Sequence, residues 1–259
     1  MSQKIDLKDF TFMFPVRIDS IIRLENLICV ITFLKRNFNT NILVLEADKG
    51  TNNFIKRLIP QSVDYVYCYD DDPIFYRTYY INVMTKIVQT KFVCIWDADV
   101  IIPTDQILTT ANFLRNDEAD MAYPYDGCFL DISECIREIF LHNMDVRILK
   151  RHRNKMSEPY VKEMKGGAVM VNRDKYIQSG MENERFYGWG PEDFERYDRW
   201  QIFGCRIRRS NGCLFHLTHP RDINGTFNSP LQMRNSNQTL LKTRYSSMDE
   251  IKKVIRHGI

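Results

Sequence analysis

Apolar runs alternate with stretches of helical periodicity along the first half of the chain. Phe10 to Val16 is a dominantly apolar run of strand length, and Ser20 after it can cap a helix reaching about Arg36. Asn41 to Ala47 (NILVLEA) predicts a second strand, closed by Asp48-Lys49-Gly50 as a turn. A short helix at Phe54 to Leu58 precedes a third strand at Val63 to Tyr69. Ile74 to Thr90 predicts a helix with Ile81, Met84, Ile87 and Val88 on one side. A strand at Lys91 to Trp96, a helix at Thr104 to Asn116 and a strand at Asp120 to Tyr125 complete the alternation. Strand and helix in turn predict an α/β fold with a mostly parallel central sheet flanked by helices. Ligands of such sheets bind beyond the carboxyl ends of the strands, which puts Arg17, Glu46, Asp48, Asp70 and Asp97 on one rim.

The second half reads differently. Cys128 to Lys155 predicts helix and loop, rich in charge. Gly166 to Val171 predicts a strand, followed by a turn, the segment FYGWGPED and a helix from Pro191 to Phe203. Cys205 to Arg209 and Cys213 to Leu217 read as two strands of a hairpin turned by Ser210-Asn211-Gly212. His219 to Tyr245 is polar and irregular, the pattern of a lid loop beside a site. Met248 to His257 predicts a terminal helix. With no repeat or linker, 1–259 reads as one domain: a half at 1–125, a second at 126–245, and the helix within 246–259.

Composition narrows the classes. Of 259 residues, 44% are hydrophobic and 27% charged, enough for a buried core and too apolar for disorder. The net charge of +3 is too small to favour nucleic acid as a partner. Seven cysteines lack CxxC spacing and sit mostly in apolar runs, which predicts reduced thiols and a cytoplasmic setting. The N-terminus lacks the form of a signal peptide, and no 18-residue apolar run predicts a membrane span. Asn-x-Ser/Thr matches at Asn224 and Asn237 therefore read as coincidence.

Three clusters carry candidate chemistry. Trp96-Asp97-Ala98-Asp99 ends an apolar run in two carboxylates, which a strand would aim at one point and a hard divalent cation would accept. Tyr187-Gly188-Trp189-Gly190-Pro191-Glu192-Asp193 places an indole before two acids in the first turn of a helix. The helix field favours ionised carboxylates there, and such a group can take a proton from a hydroxyl. An exposed indole face suits the apolar side of a sugar ring. His216 and His219 close a strand and offer nitrogen ligands, His219 the better placed. Each pattern also has a bland reading: a turn, a capped helix, structural histidines.

Together these stretches resemble the GT-A-fold glycosyltransferases, most closely the inverting β-1,4-galactosyltransferase and chondroitin-polymerase type. Phe14-Pro15-Val16-Arg17 resembles its PFR strand end, and Phe75-Tyr76-Arg77 with Ile81-Asn82-Val83 its FNRxxxLNVG helix. Asp97-Ala98-Asp99 resembles its DxD, Gly166-Gly167 with Trp189 to Asp193 its GG…WGxED block, and His216 to Asp222 (HLTHPRD) its last metal ligand. The match runs in family order over residues 10 to 222. The resemblance implies Asp99 and His219 as metal ligands, with Asp97 and His216 as further candidates. It implies Asp193 as general base and Glu192 as a sugar contact. Pro15, Val16, Arg17, Asp19, Glu46, Arg77, Asp97, Gly167 and Trp189 would hold the donor. Mn2+ or Mg2+ would be the cofactor, a UDP-sugar the donor, and a saccharide or lipid-linked saccharide the acceptor. Pro191 departs from the family's second Gly, and Phe194 replaces an acid after the ED pair. The resemblance further implies a bacterial enzyme of surface polysaccharide synthesis.

Three charged stretches stay outside this pattern. Asp70-Asp71-Asp72 reads as a solvated loop. Arg147 to Lys155 reads either as a surface for an anionic acceptor or as a solvated helix face. From Pro230 onward six basic residues face two acids, a tail suited to an anionic membrane, peripheral at its inner face. The rival functions are a metal-dependent nucleotide-sugar hydrolase and a non-catalytic carbohydrate-binding module.

Overall fold

A computed structural model describes residues 3–51, 53–160, 163–221 and 223–256. Asp222, the end of the HLTHPRD segment, and His257 lie outside the described residues. The first strand, β1 (Ile5–Val16), is buried along its centre and pairs in parallel with both β2 (Phe38–Asp48) and β4 (Phe92–Trp96). β3 (Asp64–Tyr69) continues the sheet beyond β2. On the other side β8 (Ala168–Asn172) runs antiparallel to β4 and to β6 (Met121–Tyr123), and β9 (Ile207–Arg209) closes the edge parallel to β6. The order among the described residues is β3-β2-β1-β4-β8-β6-β9, mostly parallel as the alternation predicts. One apolar core extends along the chain from Leu7 to Leu217, with Phe10, Phe12, Phe14, Trp96 and Trp200 among its largest members.

Helices cover the sheet. α1 (Ile21–Asn37) starts where Ser20 accepts from the Arg23 amide and ends one residue past the predicted Arg36. α2 (Phe54–Leu58) is as predicted, while α3 (Arg77–Ile87) starts three residues later than its apolar pattern suggests. Residues 74–76 are spent on a loop whose Phe75 amide donates to Asn224. α4 (Thr104–Arg115) follows β5 (Val100–Ile101).

Three expectations for the second half fail. Ser210-Asn211-Gly212 does turn the chain, with Gly212 at φ +112°, but its flanking strands are not a hairpin. β9 joins the large sheet, whereas β10 (Leu214–Leu217) joins a second sheet of order β5-β10-β7. There it runs antiparallel to β5 and parallel to β7 (Phe129–Ile132), a strand inside the stretch read as helix and loop. Two helices follow β7, α5 (Glu134–Asn143) and α6 (Val146–Arg151), and α7 (Arg173–Gln178) follows β8. α8 (Glu192–Ile202) has Pro191 at its cap position rather than inside it. The predicted lid loop is, from Ser229 onward, a helix: α9 (Pro230–Tyr245), capped by the Ser229 hydroxyl. α10 (Met248–Arg256) ends the described chain.

Candidate active site

The carboxyl ends of β1 and β4 open into a cavity of about 670 Å3. Pro15, Val16, Arg17, Arg77, Asp97, Asp99, Gly167, Trp189, Glu192, Asp193, His216 and His219 all line it. Asp19 and Glu46, predicted for the same pocket, are not among its lining residues. Asp19 pairs with Arg23 at 3.4 Å, and Glu46 is buried under the Tyr65 hydroxyl, which donates to it.

The two DxD carboxylates do not converge. Asp97-Ala98-Asp99 is a turn between β4 and β5 rather than strand, so alternation does not govern it. The Asp97 amide donates to the Gly167 carbonyl at 2.9 Å and the Leu217 amide to the Asp99 carbonyl at 2.7 Å, pinning the turn to both sheets. Asp97 consequently accepts from Arg77 at 2.6 Å. Asp99 faces the histidines: its oxygens lie 3.0 Å from His219 Nε2 and 3.6 Å from His216 Nε2.

Each histidine has its second nitrogen engaged. His216 Nδ1 is 2.7 Å from Asp131 Oδ1, and His219 Nδ1 is 2.7 Å from the Pro220 carbonyl. Such partners fix the imidazole with Nε2 turned to a metal. Asp99, His216 and His219 form a three-ligand cluster with donor atoms within 4.8 Å of one another, and one carboxylate with two imidazoles fits a divalent transition ion. Burial opposes the Asp99 charge, yet His216 and His219 hold its carboxyl below the usual range. Asp97 stands outside this cluster, on the Arg77 side.

Across the cavity α8 presents Glu192 and Asp193 in its first turn. Arg196 donates to Asp193 Oδ1 at 2.5 Å and is itself held by the buried Glu182 at 2.8 Å. Asp193 Oδ2 approaches Gly166 so closely that a Cβ there would stand 2.8 Å away. Gly167, at φ +87°, has Leu214 where a side chain would go. The paired glycines thus let the backbone run beneath the acid. Glu192 is different: burial, with the Asp193 charge, pushes its carboxyl up to about 8, against the pull of Arg77. Arg77 Nη1 is 3.6 Å from Glu192.

Arg17 lines the cavity with its guanidinium committed elsewhere. It donates to the Ala47 carbonyl, the Asp72 carbonyl and Asp70 Oδ2 at 2.9, 2.6 and 2.5 Å. Asp70 also accepts from Tyr80 and Asp72 from Tyr187. Asp70 and Asp72 are therefore anchors of the rim, not a solvated run. Trp189 keeps a partly open indole, edge-on to Phe227 at 4.6 Å, while its carbonyl accepts from Gln232 of α9.

Several lining residues escaped the sequence reading: Arg23, Phe129, Tyr160, Arg221 and Phe227, with Asn224 and Asn237 known only as chance matches. None has a motif of its own; the composition of the HLTHPRD segment was the sole pointer to Arg221. Three buried polar atoms without a hydrogen-bond partner, Arg23 Nε, Arg77 Nη1 and Glu192 Oε2, belong to residues that line this cavity. Water or a ligand in the cavity can satisfy such atoms.

Comparison with known proteins agrees with the fold. A family model described as the N-terminal domain of galactosyltransferase matches residues 147–222. No curated protein matches the chain. Among solved structures, the catalytic domain of Drosophila β1,4-galactosyltransferase 7 with xylobiose is similar at TM-score 0.53 and 17% identity, over 95% of this chain and 83% of that one. A mutant of that enzyme with manganese, UDP-Gal and xylobiose gives TM-score 0.56 and 16% identity, over 93% and 83%. Mycobacterium tuberculosis glucosyl-3-phosphoglycerate synthase, with Mn2+, UDP and glucosyl-3-phosphoglycerate, gives 0.53 and 13%, over 90% and 79%. The chain has the GT-A glycosyltransferase fold.

Proposed function

We propose that the protein is an inverting, metal-dependent glycosyltransferase. It moves a hexose or N-acetylhexosamine, with galactose or N-acetylgalactosamine favoured, from a UDP-sugar to a saccharide acceptor. The observation that carries this reading is one cavity with a metal-ligand cluster on one wall and a carboxylate pair on the other. The galactosyltransferase match at residues 147–222 and the manganese, UDP-Gal and saccharide in the similar Drosophila structure support the donor and acceptor classes. A role in bacterial surface polysaccharide synthesis fits a saccharide acceptor.

Asp99, His216 and His219 would hold Mn2+ or Mg2+. Such an ion supplies charge neutralisation for a departing diphosphate. Arg23 brings a second positive charge to the same end of the cavity. Arg77 holds Asp97 in place for the donor's ribose or sugar, and Trp189 gives a surface between the two sugars. Asp193 takes the proton from the acceptor hydroxyl as its oxygen bonds to the anomeric carbon. The bond from that carbon to the diphosphate oxygen breaks on the opposite face, so configuration inverts and no covalent enzyme intermediate forms. Glu192, with a raised carboxyl, donates or accepts a hydrogen bond at a sugar hydroxyl.

The test is a panel of UDP-sugars with free saccharides, with Mn2+ and with chelator. Metal-dependent appearance of a disaccharide with inverted anomeric configuration is expected. Release of free sugar and UDP without transfer would replace this reading with the hydrolase.

A further inference from the structure

We infer that the outward face of α9 is a docking surface for an anionic lipid bilayer. An α-helix turns about 100° per residue, so Leu231, Arg234, Gln238, Leu241, Lys242 and Tyr245 fall within about 100° of arc. The buried residues of the helix, Ser236, Leu240 and Thr243, lie on the opposite side. Leu231 is 66% exposed, Leu241 45% and Tyr245 85%. Exposed apolar residues scattered singly need no explanation, but three aligned on one helix face with two cations between them form a patch.

Charge selects the occupant. α9 contains no Asp or Glu. Arg234 and Lys242 lack an ion-pair partner within 4 Å among the described residues, whereas Arg244, off this face, is paired with Asp198 at 2.6 Å. Beyond the helix, exposed Lys252 and Lys253 on α10 are matched by exposed Asp249 and Glu250, so the positive charge of the face is that of α9 itself. Leucines and a tyrosine amid unpaired cations match a headgroup boundary of negative sign. A protein partner would more commonly offer acids in fixed positions, and nothing on this face orients them.

The same helix borders the cavity. Its Gln232 donates to the carbonyls of Tyr187 and Trp189, and its Asn237 lines the pocket. A bilayer seated on α9 therefore brings a lipid-linked saccharide to the mouth beside Trp189. This last step rests on the transferase reading; the docking itself does not.

The experiment sediments the full chain with vesicles of phosphatidylcholine alone and of phosphatidylcholine mixed with phosphatidylglycerol. Binding to the mixed vesicles only is expected. Arg234→Gln with Lys242→Gln should weaken it about thirtyfold, and Leu231→Ser with Leu241→Ser and Tyr245→Ser at least about tenfold. All these residues are on the surface, and circular dichroism checks that the variants stay folded. Equal binding to both vesicle types, no binding, or variants that bind as the parent does would overturn the inference. So would a concentration-dependent dimer abolished by the same substitutions. Transfer to a soluble saccharide, measured alongside, should be unchanged in the variants. Its absence from the parent would count against the transferase reading and leave the vesicle result standing.

Discussion

Adjacent acids at the start of α8 illustrate how far environment divides two similar residues. Asp193 is one-fifth exposed and paired with Arg196, with its second oxygen over Gly166. Glu192 is buried, beside Arg77, with one oxygen lacking a hydrogen-bond partner. Asp193→Asn preserves size and the α8 turn, so UDP-sugar affinity should persist while kcat falls ~10²–10⁴-fold. Retention of more than about a tenth of parental turnover would move the base to Glu192. The Glu192 carboxyl makes a second prediction, in stability. Its folded value of about 8 exceeds the ordinary ~4.3, so between those limits the folded state holds a proton that the unfolded state releases. Stability should therefore fall as pH rises from about 5 to 8, by up to about 1.4 kcal/mol per pH unit from this group. Glu192→Gln has no proton to lose and should flatten that slope, read from urea midpoints across the range. A variant with the parental slope would refute the assignment. Both acids were legible in the sequence because the WGPED stretch is local; the Arg196 and Glu182 behind them were not, since nothing local shows that an arginine three residues on is buried.

At the scale of elements, local chemistry was read correctly and its long-range partner was not. Ser210-Asn211-Gly212 is a turn, but the edge available to β9 belongs to β6, and that available to β10 lies between β5 and β7. Turn residues carry no information about which edges are free. α9 went unread because its buried side is made of Ser236, Leu240 and Thr243, too polar to show a helical stripe. Thr243 instead satisfies the buried Glu195 at 2.9 Å, a partner 48 residues away. β7 is four residues long and its neighbours are charged, yet its parallel register with β10 places Asp131 beside His216. That pairing predicts a metal effect from a residue with no place in the motif. Asp131→Asn should weaken Mn2+ affinity by about 10–100-fold through the lost orientation of His216. Isothermal titration with Mn2+ alone measures this without any assay of activity, and parental affinity would mean that His216 is not a ligand.

Across the whole molecule, motifs from residue 14 to residue 219 meet in one cavity because parallel strands deliver their carboxyl ends to the same side. That is why the residues at the strand ends could be read from order alone. Tyr160, Arg221 and Phe227 could not, since they come from irregular segments whose approach to the cavity depends on the finished fold. A cavity assembled from both sheets and α8 couples ligand binding to global stability. UDP with Mn2+ at a hundred times its dissociation constant should stabilise the folded state by about 2.7 kcal/mol. For a chain of this size each kcal/mol moves the melting temperature by roughly 2–4 °C, so a rise of about 5–10 °C is expected in differential scanning fluorimetry. The rise needs both components: Asp99, a carboxylate grouped with His216 and His219, would meet the diphosphate only through the ion. Chelator should abolish most of the shift, and Asp99→Ala should do the same while leaving the unliganded protein folded. A shift of equal size in the presence of chelator would mean that Arg23 and Arg77 hold the nucleotide by themselves, and that the Asp99 cluster serves the fold rather than the donor.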